Sequence, residues 1–107
     1  AGLIWFQGFN DQFEPDARQN YASNLTRLID DFRNRFGVAI PVVIVEARKV
    51  GDLEVIANSQ RRVAESMSNV GIIPSDGLTN CFHYDAASQL VIGQRSAKVM
   101  LSLLENQ

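Results

Sequence analysis

Within five residues, Gln7-Gly8-Phe9-Asn10-Asp11 gathers two carboxamides, a carboxylate and a glycine. Carboxamide N–H groups can donate to a developing oxyanion, and a carboxylate can hold loop amides in place. Glycine permits the sharp turn such a loop needs. Far along the chain stands His83, the sole histidine, preceded by Asp76, Asn80 and Cys81. An imidazole with its ordinary pKa of about 6.5 can move protons near neutral pH. The plain alternatives are a turn, where Gly, Asn and Asp are favoured anyway, and a loop histidine with no role. Taken alone, the residues leave these plain readings ahead, and position is what points toward chemistry. The apolar run Leu3 to Phe6 reads as a buried strand, and open α/β sheets gather their chemistry at the carboxyl ends of strands.

The elements that must position these residues alternate. After the first strand, Pro15 to Phe36 reads as a long helix, with proline suited to its first turn and Gly37 to its end. Tyr21, Leu25, Leu28, Ile29 and Phe32 make its apolar face, and Asp30, Asp31, Arg33, Asn34 and Arg35 fall largely opposite. Pro41 to Val45 is a continuous apolar, β-branched run, the pattern of a parallel strand covered on both faces, with Glu46-Ala47-Arg48 at its tip. A second helix is expected from about Asp52 to Met67, with Leu53, Ile56, Val63 and Met67 inward and Gln60, Arg61 and Arg62 interrupting them. Val70 to Pro74 is the third strand and Ser75-Asp76-Gly77 its turn. A last helix runs from an N-cap at Asp85 to about Leu104, with an apolar stripe of Leu90, Val91, Ala97, Met100, Leu101 and Leu104. The β-α-β-α-β-α order implies a parallel sheet with right-handed crossovers. Three strands make a thin sheet, and a first strand at its edge would leave apolar surface and backbone to be covered.

The 107 residues make at most one domain, and 46% hydrophobic content marks a globular chain. A net charge of −2 argues against a nucleic-acid partner, whose binders usually carry a basic patch. The apolar runs fall well short of the roughly 18 residues that span a membrane, so no membrane partner is expected. The chain opens on a strand, without the basic-then-apolar pattern of a signal peptide. A single cysteine, Cys81, excludes an internal disulfide. Cys81 and His83 lie too close on an extended loop to meet as nucleophile and base. One His and one Cys do not make a tetrahedral metal set, so neither metal nor other cofactor is expected. A nucleotide-binding or receiver-type domain would fit the alternation, but there is no Gly-rich phosphate loop.

Trp5-Phe6-Gln7-Gly8-Phe9-Asn10-Asp11 resembles the W-x-Q-G-E-x-D block of carbohydrate O-acetylesterases, the sialate O-acetylesterase-like proteins and carbohydrate esterase family six of the SGNH hydrolase superfamily. Gly8-Phe9-Asn10-Asp11 fits the superfamily's G-x-N-D block. Ile40 to Val45 is similar to the family's "lPfviv" strand, Asn58 to Ala64 to its "r-x-a-Q-r-x-v-a" helix, and His83 to Ala97 to the segment holding the catalytic His and a following "G-x-R-x-A". The likeness covers about residues 2 to 104, in the family's order.

The resemblance implies a flavodoxin-like, three-layer α/β/α fold on a five-stranded parallel sheet, residues 1–107 being the C-terminal part of one domain and supplying its last three strand-helix units. It implies a serine esterase removing acetyl groups from carbohydrate, with a secreted or periplasmic location. His83 would be the general base and Asn10 the oxyanion donor. Gln7 would donate nearby, Gly8 would allow the turn and Asp11 would steady the loop. The nucleophile block G-D-S or G-Q-S-N is absent, and none of the eight serines here replaces it. These residues alone are therefore expected to be inactive, completed by an N-terminal half or paired as a homodimer through the first strand.

Asn80 stands where the family places the Asp that partners His. A change from Asp to Asn there costs about 10⁴ in kcat in serine hydrolases. Three readings stay open: a Ser-His dyad, orientation of His83 by Asp76, or lost activity. Phe9 replaces the block's Glu, and with Asn80 it keeps open a non-catalytic carbohydrate-binding or interaction module, or a degenerate esterase remnant. Arg61 and Arg62 read as a solvated helix face, and Arg95 as a packing or pairing residue. Gln60 has a family equivalent that tends to face the sheet.

Overall fold

The computed structural model describes residues 1–37, 39–48, 54–78 and 84–106. Its strands are β1 (Leu3–Trp5), β2 (Val42–Val45) and β3 (Val70–Ile73), and its helices α1 (Pro15–Phe36), α2 (Val55–Ser66) and α3 (Ala86–Glu105), with a short 3-10 turn at Asn10–Phe13. The three strands pair in parallel, in the order β1-β2-β3, with Leu3 opposite Val42 and Val42 opposite Val70. Helices α1 and α2 cover one face through Leu25, Ile29, Ile56 and Val63, and α3 covers the other through Ile92. The result is the expected α/β/α arrangement in three layers.

The central strand explains the sheet. Val42, Val43, Ile44 and Val45 are all fully buried, because β2 has a strand on each side and a helix on each face. Each such side chain contributes about 1.5–3 kcal/mol by leaving water. β1 is different. It ends one residue earlier than the sequence suggests, and it is an edge strand, not a buried one. Leu3 and Trp5 pack on the α1–α2 side, while Ile4 and Phe6 are 53% and 50% exposed.

The helices hold two corrections. In α1, the side chains of Tyr21, Leu25, Ile29 and Arg33 form the buried row at four-residue spacing, whereas Leu28 is exposed. Arg33 therefore belongs to the inner face, not the outer one. Its Nε donates to the Ile40 carbonyl at 3.1 Å and its Nη2 to the Ser68 and Asn69 carbonyls at 2.9 and 3.1 Å. One guanidinium thus ties the approach to β2 to the turn before β3. Asn69 completes that turn with φ of 58° and an amide bond to the Ala39 carbonyl at 2.8 Å.

In α3, Asp85 is the N-cap as expected, its carboxylate accepting the Ser88 N–H at 2.7 Å. The Ser88 side chain first, and this Ser88 N–H second, hold its carboxyl below the usual 3.8. Of the expected apolar stripe, Met100 packs on the core, but Leu90, Leu101 and Leu104 are exposed. The buried row is Ser88, Ile92 and Ser96, continued by Val99 and Leu103. At Gly71 of β3 an added Cβ would sit 2.5 Å from Val99 Cγ1. No helix among the described residues is long and apolar enough to cross a membrane.

This orientation of α3 has a direct check. In urea unfolding, Ile92→Ala should cost about 2–4 kcal/mol through the cavity it leaves. Leu101→Ala should change stability by no more than about 0.5 kcal/mol. The reverse order would place the leucine stripe inside.

Candidate functional site at the carboxyl edge of the sheet

β1 leaves the sheet at Phe6. Gly8, two residues on, is buried with φ of 134°, a conformation that disfavours any side chain. An added Cβ there would also lie 2.8 Å from Ile56 Cγ2 and 3.1 Å from the Tyr21 hydroxyl. The turn is therefore possible only with glycine, pressed against α1 and α2. It delivers Asn10, exposed, as the first residue of the 3-10 turn.

A buried polar hub holds this loop. Tyr21 accepts from Trp5 Nε1 at 3.1 Å and from Gln60 Nε2 at 3.1 Å. Its own proton is directed at Gln7, 3.1 Å from the carbonyl and 3.2 Å from Oε1. Gln60 Nε2 also donates to the Gln7 carbonyl at 2.9 Å, and Gln60 Oε1 accepts the Ala47 N–H at 2.6 Å. The Gln7 carboxamide in turn donates to Asp11 Oδ2 at 3.3 Å. Asp11 thus steadies the loop through the Gln7 side chain. Below it, the buried Gln12 donates to the Phe9 and Arg48 carbonyls at 3.2 and 2.8 Å. A cleft of about 120 Å³ opens beside the hub, with Trp5, Gln7, Asp11 and Tyr21 among its walls.

The other strand tips are fixed in the same way. Glu46, after β2, is buried and paired with Arg61 at 2.9 Å. Arg61 is therefore half-buried and paired, not part of a solvated face. After β3, Arg95 donates to the Pro74 and Asp76 carbonyls at 2.8 and 3.2 Å, which holds the turn that carries Asp76. The Asp76 residue itself is exposed. Asn80, Cys81 and His83 lie outside the described residues. Tyr84, the next residue after His83, stacks on Phe6 with ring centroids 6.0 Å apart. The chain thus returns to the tip of β1 immediately before α3. Phe9 packs edge-on against Phe13 at 5.6 Å, with the Arg48 guanidinium 5.7 Å above its ring.

Among the described residues no cluster of His, Cys, Asp and Glu could hold a metal ion. The hub residues Trp5 and Tyr21 read in the sequence as ordinary apolar positions, and only the likeness of the Gln60 helix to a known family hints at that glutamine. Gln12 carries no signal at all.

A family model for carbohydrate esterases, described as sialic acid-specific acetylesterase, matches residues 1–102. The chain belongs to this carbohydrate esterase family. Its fold is similar to that of an Arabidopsis thaliana protein solved by X-ray crystallography at 1.6 Å, with a TM-score of 0.85 and 24% identity. The match covers 94% of this chain and 44% of that one, so this chain spans less than half the length of its structural relative. No curated protein matches it.

The hub makes a spectroscopic prediction. Burial holds the Tyr21 hydroxyl above the ordinary 10.0, outweighing the bonds from Trp5 and Gln60 that favour the phenolate, while Asp11 adds to the upward shift. Tyr84, the other tyrosine, is raised by burial as well. The stability that the neutral Tyr21 contributes is complete below pH 10 and is lost as pH rises through the raised folded value. Alkaline titration of phenolate absorbance should show both tyrosines ionising late, and Tyr21→Phe should leave a single late transition. Ordinary titration of either would contradict the buried placement.

Proposed function

We propose that these residues form the oxyanion and base side of a serine O-acetylesterase acting on acetylated carbohydrate, with the nucleophilic serine contributed by polypeptide outside them. The observation that carries this reading is the built loop. A glycine-only turn, braced by Tyr21 and Gln60, presents exposed Asn10 at the carboxyl edge of a parallel sheet. Buried bracing of an exposed carboxamide is what preorganised stabilisation of a developing charge requires.

In this reading His83 takes the serine proton as the serine oxygen adds to the acetyl carbonyl. Asn10 donates to the resulting oxyanion. Collapse of the adduct expels the sugar hydroxyl, which receives its proton from His83, and water then repeats the sequence to release acetate. Gln7 keeps a second amide hydrogen for substrate, since Nε2 carries two and Asp11 takes one. A carboxamide such as that of Asn80 can accept a hydrogen bond from an imidazole but supplies no charge. In this reading His83 acts in a dyad or is oriented by Asp76.

The missing part is proposed to dock on β1, whose outer edge is unpaired among the described residues and whose Ile4 and Phe6 are exposed. A chain matching 44% of a solved relative supports this arrangement. The competing arrangement is a second copy at the same edge. The non-catalytic reading draws on the Phe9–Phe13–Arg48 cluster, which stands where the family's block carries an acid.

Two outcomes are expected. Residues 1–107 expressed alone should self-associate through β1, and a well-behaved monomer in size-exclusion chromatography would count against an incomplete sheet. With the serine-bearing polypeptide present, the protein should hydrolyse p-nitrophenyl acetate and acetylated sugars, and Asn10→Ala should lower kcat by about 10²–10³. Binding of acetylated sugar with no hydrolysis would favour the non-catalytic module.

A further inference from the structure

The pairing of β1 with β2 ends at Trp5 and Ile44. Beyond that point the two chains have no ladder partner in one another, yet each passes a buried residue before it leaves the sheet. Gly8 and Ala47 are buried. Backbone polar groups left there without partners would be costly. The carboxamide of Gln60, wholly buried, fills the gap. Its oxygen takes the Ala47 N–H, and its nitrogen reaches the Gln7 carbonyl and the Tyr21 hydroxyl. It acts as an added rung, supplied by a helix, between two strands that have run out of rungs.

In a planar trans peptide the carbonyl and the N–H point in opposite directions. The Gln7 carbonyl is directed at Gln60 and Tyr21, so the Gly8 N–H on the same peptide is directed away from them. Rotating that peptide would break the bonds to both side chains and would swing the path of the chain into the 3-10 turn at Asn10. An Ala at residue 60 would free it. A purely apolar residue of equal size would fill the volume and still free it.

We propose that Gln60 is a positioning residue: it sets the orientation of the Gln7–Gly8 peptide and through it the placement of Asn10. Its effect on turnover rests on the esterase reading given above, while its effect on the loop does not. Arg61, its neighbour in sequence, is committed to Glu46 and plays no part in the hub.

The test combines hydrogen exchange, read by mass spectrometry on the peptide spanning residues 7–11, with steady-state kinetics on p-nitrophenyl acetate in the protein purified together with its serine-bearing polypeptide. Gln60→Met keeps the volume and removes both polar groups. Gln60→Glu keeps the acceptor for Ala47 and loses the donor to Gln7. Tyr21→Phe removes one hub partner and leaves Gln60 intact, so it reports even if neither Gln60 variant folds. The expected result is exchange in residues 7–11 faster by about 10- to 100-fold in both Gln60 variants, and faster to a smaller degree in Tyr21→Phe, with α1 and α3 unchanged. In the same variants kcat should fall about 10-fold or more with KM within about twofold. Wild-type exchange in residues 7–11, or equal acceleration in every segment, would overturn the proposal and leave Gln60 as a filler of the core. Local acceleration in a protein that hydrolyses no ester would uphold the positioning role and remove the esterase reading alone.

Discussion

A short parallel sheet has a difficulty at its ends: the ladder stops before the chain leaves the interior, and buried N–H and C=O groups there need partners. In this molecule Gln60 meets that need at the carboxyl edge. Its carboxamide joins the chain after β1 to the chain after β2, with Tyr21 and Trp5 closing the network. The rim of the candidate site depends on it, because the conformation of Gly8 and the start of the 3-10 turn are set by where the Gln7 carbonyl is held. A hub of this sort is either fully satisfied or a liability. Tyr21 here accepts twice and donates once, and Gln60 uses both its oxygen and its nitrogen.

The amino edge is closed by the same strategy with a charged group. Arg33 gathers the Ile40, Ser68 and Asn69 carbonyls, and Asn69 bonds back to Ala39. β2 is thus pinned at both ends and buried along its length, which makes it the rigid reference of the fold. Among the described residues β1 pairs with β2 alone, and Ile4, Phe6, Leu90, Leu101 and Leu104 are exposed. These surfaces agree with a chain that spans under half of a solved relative with the same fold.

Much of this is legible in the sequence, and the exceptions share a cause. The alternation of strands and helices, the full length of α1, the burial of β2 and the Asp85 cap all come from apolar periodicity, β-branching and capping chemistry. What periodicity hides is a polar residue working inside. Its charge assigns Arg33 to the outer face of α1, yet its guanidinium finds three carbonyls on the inner one. Gln60 interrupts the apolar row of α2 and is fully buried. The stripe of α3 is misassigned at Leu90, Leu101 and Leu104 because their hydrophobicity outweighs that of Ser88 and Ser96, which are the buried positions. At Gly71 the close approach of Val99 leaves no room for a side chain on β3. At the site, the Gln7–Asp11 loop is readable from residue types and its likeness to the esterases. Its bracing is not, because Trp5, Tyr21, Gln12 and Gln60 are distant in sequence and meet only through the fold.

The central claim is that these residues carry the oxyanion and base side of an esterase whose nucleophile lies elsewhere. The most direct measurement is covalent labelling of the purified protein with a fluorophosphonate, followed by peptide mapping. The probe phosphonylates a serine activated by a base and loses fluoride. The account predicts one labelled serine, located outside residues 1–107, with labelling abolished by His83→Ala. A label on any of the eight serines within these residues, or no label in a protein that carries the remaining polypeptide, would contradict it.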